Sequence, residues 1–133
     1  MRYLAVAAPA FTDDWFADGV TPAALSRAPV VDFDRRDDLQ TRYLVELGVN
    51  PGLAPRHHIP ASNDFAAAVL LGMGWALLPE HQAGPALAGG RLVALGGPPI
   101  EVRLFWQRWK FPSALLTLIE DAVVAAARAD LRQ

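Results

Sequence analysis

Along the chain, dense apolar runs a few residues long are separated by stretches in which apolar positions recur every three or four residues, the pattern of strands interleaved with amphipathic helices. Residues 2–8 mix Tyr, Leu and Val and stop at Pro9, which predicts a buried strand ended by a residue unable to donate to a ladder. The stretch around Trp15 reads as loop. Thr21-Pro22 ahead of Ala-Ala-Leu predicts a short helix, with Thr21 as N-cap and Pro22 at the first helical position. Residues 28–33 predict a second buried strand. Residues 37–47 then carry Leu39, Tyr43, Leu44 and Leu47 at helical spacing and close at Gly48.

A third strand fits residues 53–59, interrupted by Pro60, after which Ser62 can cap a helix. On that helix Phe65, Val69 and Met73 share one stripe, widened by Ala66 and Leu70. Residues 75–78 suit a fourth strand, although so short an apolar run cannot be told from helix by period alone. Pro79-Glu80 opens another helix running to Gly89-Gly90, and residues 91–95 predict a short strand. The turn Gly96-Gly97-Pro98-Pro99 is the best candidate boundary. Beyond it residues 101–107 alternate Val102, Leu104 and Trp106 against Glu101, Arg103, Phe105 and Gln107, the period of a strand with one more strongly apolar face. Pro112 opens the last helix, with Leu115, Leu118, Ile119, Ala122 and Ala126 as its core stripe.

Strands alternating with helices at this spacing predict an α/β fold with a mostly parallel sheet flanked by helices, because a parallel return needs a crossover of about a dozen residues. Ligands in such sheets sit beyond the carboxyl ends of the strands, where helix N-termini present their amides. That places residues 34–38 and 60–64 near one rim.

With 133 residues the chain has room for a single domain. Twelve Lys and Arg against fourteen Asp and Glu leave a net charge of −2, so no global positive field draws this polypeptide to nucleic acid. The absence of cysteine excludes disulfides, thiolate metal sites and cysteine nucleophiles. The amino terminus lacks the pattern of a secretory signal. The most apolar stretch, residues 66–79, contains two glycines and falls short of the roughly 20 residues needed to cross a bilayer. The expectation is a soluble, cytoplasmic protein with no membrane partner.

Several chemistries fail on spacing. The acidic cluster from Asp32 to Asp38 does not fit a calcium loop, since Asp37 stands where that loop needs glycine and Tyr43 where it needs glutamate. Gly72-Met73-Gly74 lacks the third glycine of a dinucleotide fingerprint and precedes its strand instead of following one. His57 and His58, adjacent in a predicted strand, would face opposite sides and could not chelate one metal together. Ser26, Ser62 and Ser113 sit in no nucleophile elbow. Arg35 and Arg36 should keep Asp34 and Asp37 ionised, which weakens acid–base catalysis there. No cofactor and no metal are expected. The acidic cluster reads either as a solvated strand-to-helix turn or as a ligand site, and Trp106 either as core or as a ligand contact at a strand end.

Taken in order, several blocks are similar to a known family. They are residues 2–7 with Pro9 and Phe11, Gly19-Val20-Thr21, residues 28–31 running into Phe33-Asp34 and Asp37-Asp38, Ser62 with Phe65, residues 72–75 with Leu78-Pro79, and Leu104-Phe105-Trp106. The chain resembles the effector-binding domain of LysR-type transcriptional regulators, within the ArgP/LysG subgroup that senses basic amino acids. The resemblance implies a non-enzymatic, periplasmic-binding-protein-like (type II) domain of two α/β subdomains with a small effector in the cleft between them. By that comparison residues 1–96 form the second subdomain, and residues 97–133 are a strand and helix returning to an incomplete first one. DNA would be reached only through a winged helix-turn-helix that this sequence does not contain.

L-lysine or L-arginine brings two cationic groups and one carboxylate, so a selective site needs acceptors for the cations and donors for the anion. The resemblance points to Asp34 for the cationic group, supported by Asp37 or Asp38. Ser62 and the amides of its helix start would hold the carboxylate, and Trp106 would pack on the aliphatic stem or guanidinium. The family's serine pair stands here as Ala61-Ser62. Unpaired apolar surface on the terminal strand and helix predicts a homodimer or higher oligomer. The alternatives are a solute-binding module of similar fold, a non-sensing remnant that only oligomerises, and a small enzyme built on the 34–38 turn.

Overall fold

Described residues of the structure, a computed structural model, are 1–109 and 111–130. In chain order they form β1 (Arg2–Ala7), α1 (Pro9–Trp15), α2 (Pro22–Leu25), β2 (Val30–Asp32), α3 (Leu39–Glu46), β3 (Arg56–His58), α4 (Ser62–Leu70), β4 (Ala76–Pro79), α5 (Glu80–Ala88), β5 (Val93–Ala94), β6 (Ile100–Glu101) and α6 (Ala114–Asp130). The expected alternation of strands and helices is present, and the fold is α/β.

β1 lies at the middle of the sheet. One edge pairs with β4, Tyr3 opposite Pro79 and Val6 opposite Ala76. The other edge pairs first with β5 and then with β6, and between them the register shifts by three residues as 96–99 bulge outward. β2 and β3 pair in parallel, and a parallel bridge between Val30 and Trp75 joins them to β4. Five strands therefore share one direction, as expected for a mostly parallel layer. The correction is β1, whose three ladders are all antiparallel. Its link to β2 runs through two short helices and a loop, and the crossover rule orients only strands joined by a single returning helix.

Side chains alternate across this sheet with period two and feed two cores. Ala5, Ala7, Val30, Trp75 and Leu77 face the side covered by α1, α2 and α3. Val6, Val31, Ala76 and Leu78 face the side covered by α4 and α5, against Phe65 and Val69.

Local signals explain most helix starts. Thr21 Oγ1 accepts from Ala24 N at 3.2 Å, the expected cap of α2. Pro9 follows β1 and also occupies the first position of α1, so the stretch around Trp15, expected as loop, is helical and Trp15 is its last residue. In α4 the N-cap is Ala61 and Ser62 is the first helical residue, so Ser62 does not cap. That helix ends at Leu70, and Met73, beyond the turn, is 45% exposed instead of continuing the stripe.

The strand expected over residues 101–107 stops after Glu101. Among the described residues Met1 and Val102 exchange the last hydrogen bonds of this ladder, at 2.7 and 2.8 Å. Leu104, Phe105 and Trp106 are consequently exposed. The expected core stripe of α6 is also open, with Leu115 and Leu118 two-thirds exposed.

Candidate functional site

The six residues between β2 and α3 are shaped by their own carboxylates. Asp34 Oδ1 accepts from Arg36 N at 2.7 Å and from Asp37 N at 3.0 Å, which folds the backbone into a tight turn. Asp37 reaches both ways: Oδ2 accepts from Phe33 N at 3.0 Å and Oδ1 from Leu39 N at 3.2 Å. Asp37 thus supplies the acceptor for the start of α3, while Asp38, at the N-cap position, is exposed and makes no cap bond. Asp34 Oδ2 has no hydrogen-bond partner among the described residues.

Across from this loop stand Ser62 and Phe65, from the first turns of α4, and Gln82 of α5. Tyr3 of β1 and Leu77 of β4 form the floor. The pocket, open to solvent on one side, is about 370 Å³, within the range of small-ligand sites. Its walls are largely apolar: Phe33 and Phe65 meet with ring centroids 6.2 Å apart, and Leu39 and Pro79 add to them. Burial, and secondarily the negative charge of Asp37, push the Tyr3 hydroxyl above its ordinary value of 10.0, so it stays a donor at neutral pH. The arrangement offers carboxylates on one side and hydroxyl and amide groups on the other.

Three of the four residues singled out from sequence, Asp34, Asp37 and Ser62, line this one pocket. Trp106 does not. It is 51% exposed and lines a separate groove of about 930 Å³ with Met1, Arg103, Val123 and Arg128. Among the described residues the ladder ends at Val102, four residues short of Trp106.

Tyr3, Phe33 and Gln82 also line the pocket, although no sequence motif marks them as ligand contacts, and an ion pair lies behind the loop. Asp32, only 2% exposed, ends β2. Its Oδ2 accepts from Arg56 Nη1 at 2.7 Å, and His58 Nε2 stands 3.9 Å away. The second guanidinium nitrogen of Arg56 donates to Thr41 Oγ1 at 3.2 Å and to the Pro51 carbonyl at 3.1 Å. Burial raises the Asp32 carboxyl above its ordinary value of 3.8 against the opposing pull of Arg56. Beside it the buried Gln40 Nε2 donates to the Val31 carbonyl at 3.0 Å. The available signal was a charge closing an otherwise apolar strand, which burial obliges to find a partner. Among the described residues no group of three His, Asp or Glu is placed to hold a metal ion.

A family model described as the LysR substrate binding domain matches residues 1–128. The lysine export transcriptional regulatory protein LysG of Corynebacterium efficiens is 44% identical over 134 residues, covering 99% of this chain and 45% of the relative. The crystal structure of ArgP from Mycobacterium tuberculosis matches with a TM-score of 0.89 and 37% identity, over 96% of this chain and 44% of that one. Full-length LysG from Corynebacterium glutamicum with bound effector Arg matches with a TM-score of 0.83 and 38% identity, over 96% of this chain and 43% of that one. The chain spans less than half the length of these proteins.

Proposed function

The chain belongs to the LysR substrate-binding-domain family, and on that premise we propose that it is part of the effector-sensing domain of a transcriptional regulator responding to arginine or lysine. The named relatives are transcriptional regulators, and the family is not enzymatic. One observation carries the reading: two loop carboxylates and the free hydroxyl of a helix start converge on a single apolar-walled pocket. The arginine bound to the related LysG supports a basic amino acid as the ligand.

In this reading the ligand's cationic group meets Asp34 through its free Oδ2, with Asp37 adding negative charge. Ser62 and the first amides of α4 receive the carboxylate. Trp106 has no part in this pocket. Residues 1–96 form one subdomain and residues 97–133 return toward a second, whose remaining strands, like the DNA-reading module, lie in polypeptide outside this sequence. Such a regulator works in the cytoplasm. Among the described residues no helix is long and apolar enough to cross a membrane. The open apolar face of residues 104–123 supports assembly into a homodimer or higher oligomer, and it also favours the second reading, a chain that only oligomerises.

Calorimetry with L-arginine, L-lysine and the uncharged L-norleucine decides between these. Heat with one or both basic amino acids and none with norleucine is expected. A folded oligomer silent to all three would leave only the second reading.

A further inference from the structure

The loop that carries Asp34 and Asp37 is six residues long and has two stems, the end of β2 and the start of α3. Arg56, from β3, touches both. One nitrogen holds Asp32, the residue immediately before the loop, and the other holds Thr41, in the first turn of α3, together with the Pro51 carbonyl. Gln40 adds a second staple by binding the Val31 carbonyl. The loop's internal bonds, from the amides of Phe33, Arg36, Asp37 and Leu39 to the two carboxylates, depend on the spacing of those stems.

This pair is poorly explained as a source of stability. Asp32 Oδ1 is buried without a partner among the described residues, as is Gln40 Oε1. Apolar residues of similar volume can replace a buried ion pair at no loss of stability. What they cannot do is join three segments at fixed angles, which a planar guanidinium with several diverging donors does.

We propose that Arg56 is a positioning residue for the pocket: by bridging Asp32 and Thr41 it sets the stem spacing at which Asp34 and Asp37 are presented to ligand. The inference rests on the effector reading for its consequence, and its geometric part stands independently of it. Arg56 lines no part of the pocket and acts only through the loop.

The test combines amide hydrogen exchange with calorimetry on the full chain and its Arg56→Met and Arg56→Lys variants. In Arg56→Met the amides of Phe33, Arg36, Asp37 and Leu39 should exchange at least about tenfold faster, while those of the β1–β4 ladder keep their rates. L-arginine affinity should fall by about tenfold, equivalent to roughly 1.4 kcal/mol. Arg56→Lys restores a point charge opposite Asp32 but not the fork, so its loop amides and affinity should lie between the two. A folded Arg56→Met with unchanged loop amides overturns the proposal, as does acceleration shared equally with the ladder. If Arg56→Met fails to fold, Thr41→Val, which removes one arm of the bridge, must still accelerate those four amides selectively or the proposal falls. Should the unmodified chain bind no basic amino acid, the effector reading fails while loop exchange still decides the role of Arg56.

Discussion

The two pocket carboxylates differ in how many of their oxygens the backbone uses, and this separates their roles. Asp34 spends only Oδ1 on amides, so Asp34→Asn can keep that oxygen as acceptor and turn its amide nitrogen toward the pocket. Denaturant midpoints should stay near wild type, while affinity for L-arginine falls by about 1–3 kcal/mol, the worth of a charged hydrogen bond. Asp37 spends both oxygens, and Asp37→Asn sets a donor against Phe33 N or Leu39 N. Here urea denaturation should show a loss of about 1–3 kcal/mol in stability itself. Asp32 carries a pH signature. Because burial raises its folded pKa, the native state holds that proton after the unfolded chain has released it, so its contribution to stability falls as pH rises through and just above the ordinary carboxylate range. Measured over that window, the stability of Asp32→Asn should gain on wild type with rising pH. The rim that carries Asp34, Asp37 and Ser62 was legible in sequence because the carboxyl-end rule needs only where strands end and helices begin. The Asp32–Arg56 pair was not, since it joins residues 24 positions apart.

Among elements, the helix starts yield a paired prediction. Thr21 caps α2 and Ser62 caps nothing, so Thr21→Ala should cost about 1 kcal/mol and Ser62→Ala stay within about 0.5 kcal/mol in the same denaturation experiment. Loss of ligand affinity in Ser62→Ala then reports a contact with the ligand and not a weakened helix. Capping chemistry was readable at Thr21, where Pro22 fixes the register, and slipped by one residue at Ser62, where Ala61 takes the cap without a side-chain bond. α1 was missed because Pro9 satisfies a strand end and a helix start equally well. β6 came out short because alternation along 101–107 records which side chains are apolar, and says nothing of whether a neighbour exists to pair with.

Over the whole molecule, exposed apolar bulk is unevenly spread. Of the sixteen large hydrophobic side chains exposed among the described residues, ten fall between Leu104 and Val123. Contiguous apolar patches beyond a few hundred Å² mark contact surfaces in soluble proteins. Light scattering should therefore report a dimer or larger species, and Leu118→Glu, at a two-thirds exposed position of α6, should shift it toward monomer without unfolding the sheet. The layered α/β architecture was legible from periodicity. The reversed direction of β1 was not, because nothing in its own residues encodes direction. Yet β1 has a consequence in time. It is synthesised before each of its partners, residues 76–79, 93–94 and 100–101. On a ribosome it must wait until those later segments have emerged, and closing such long loops makes these three ladders late and slow to form in folding.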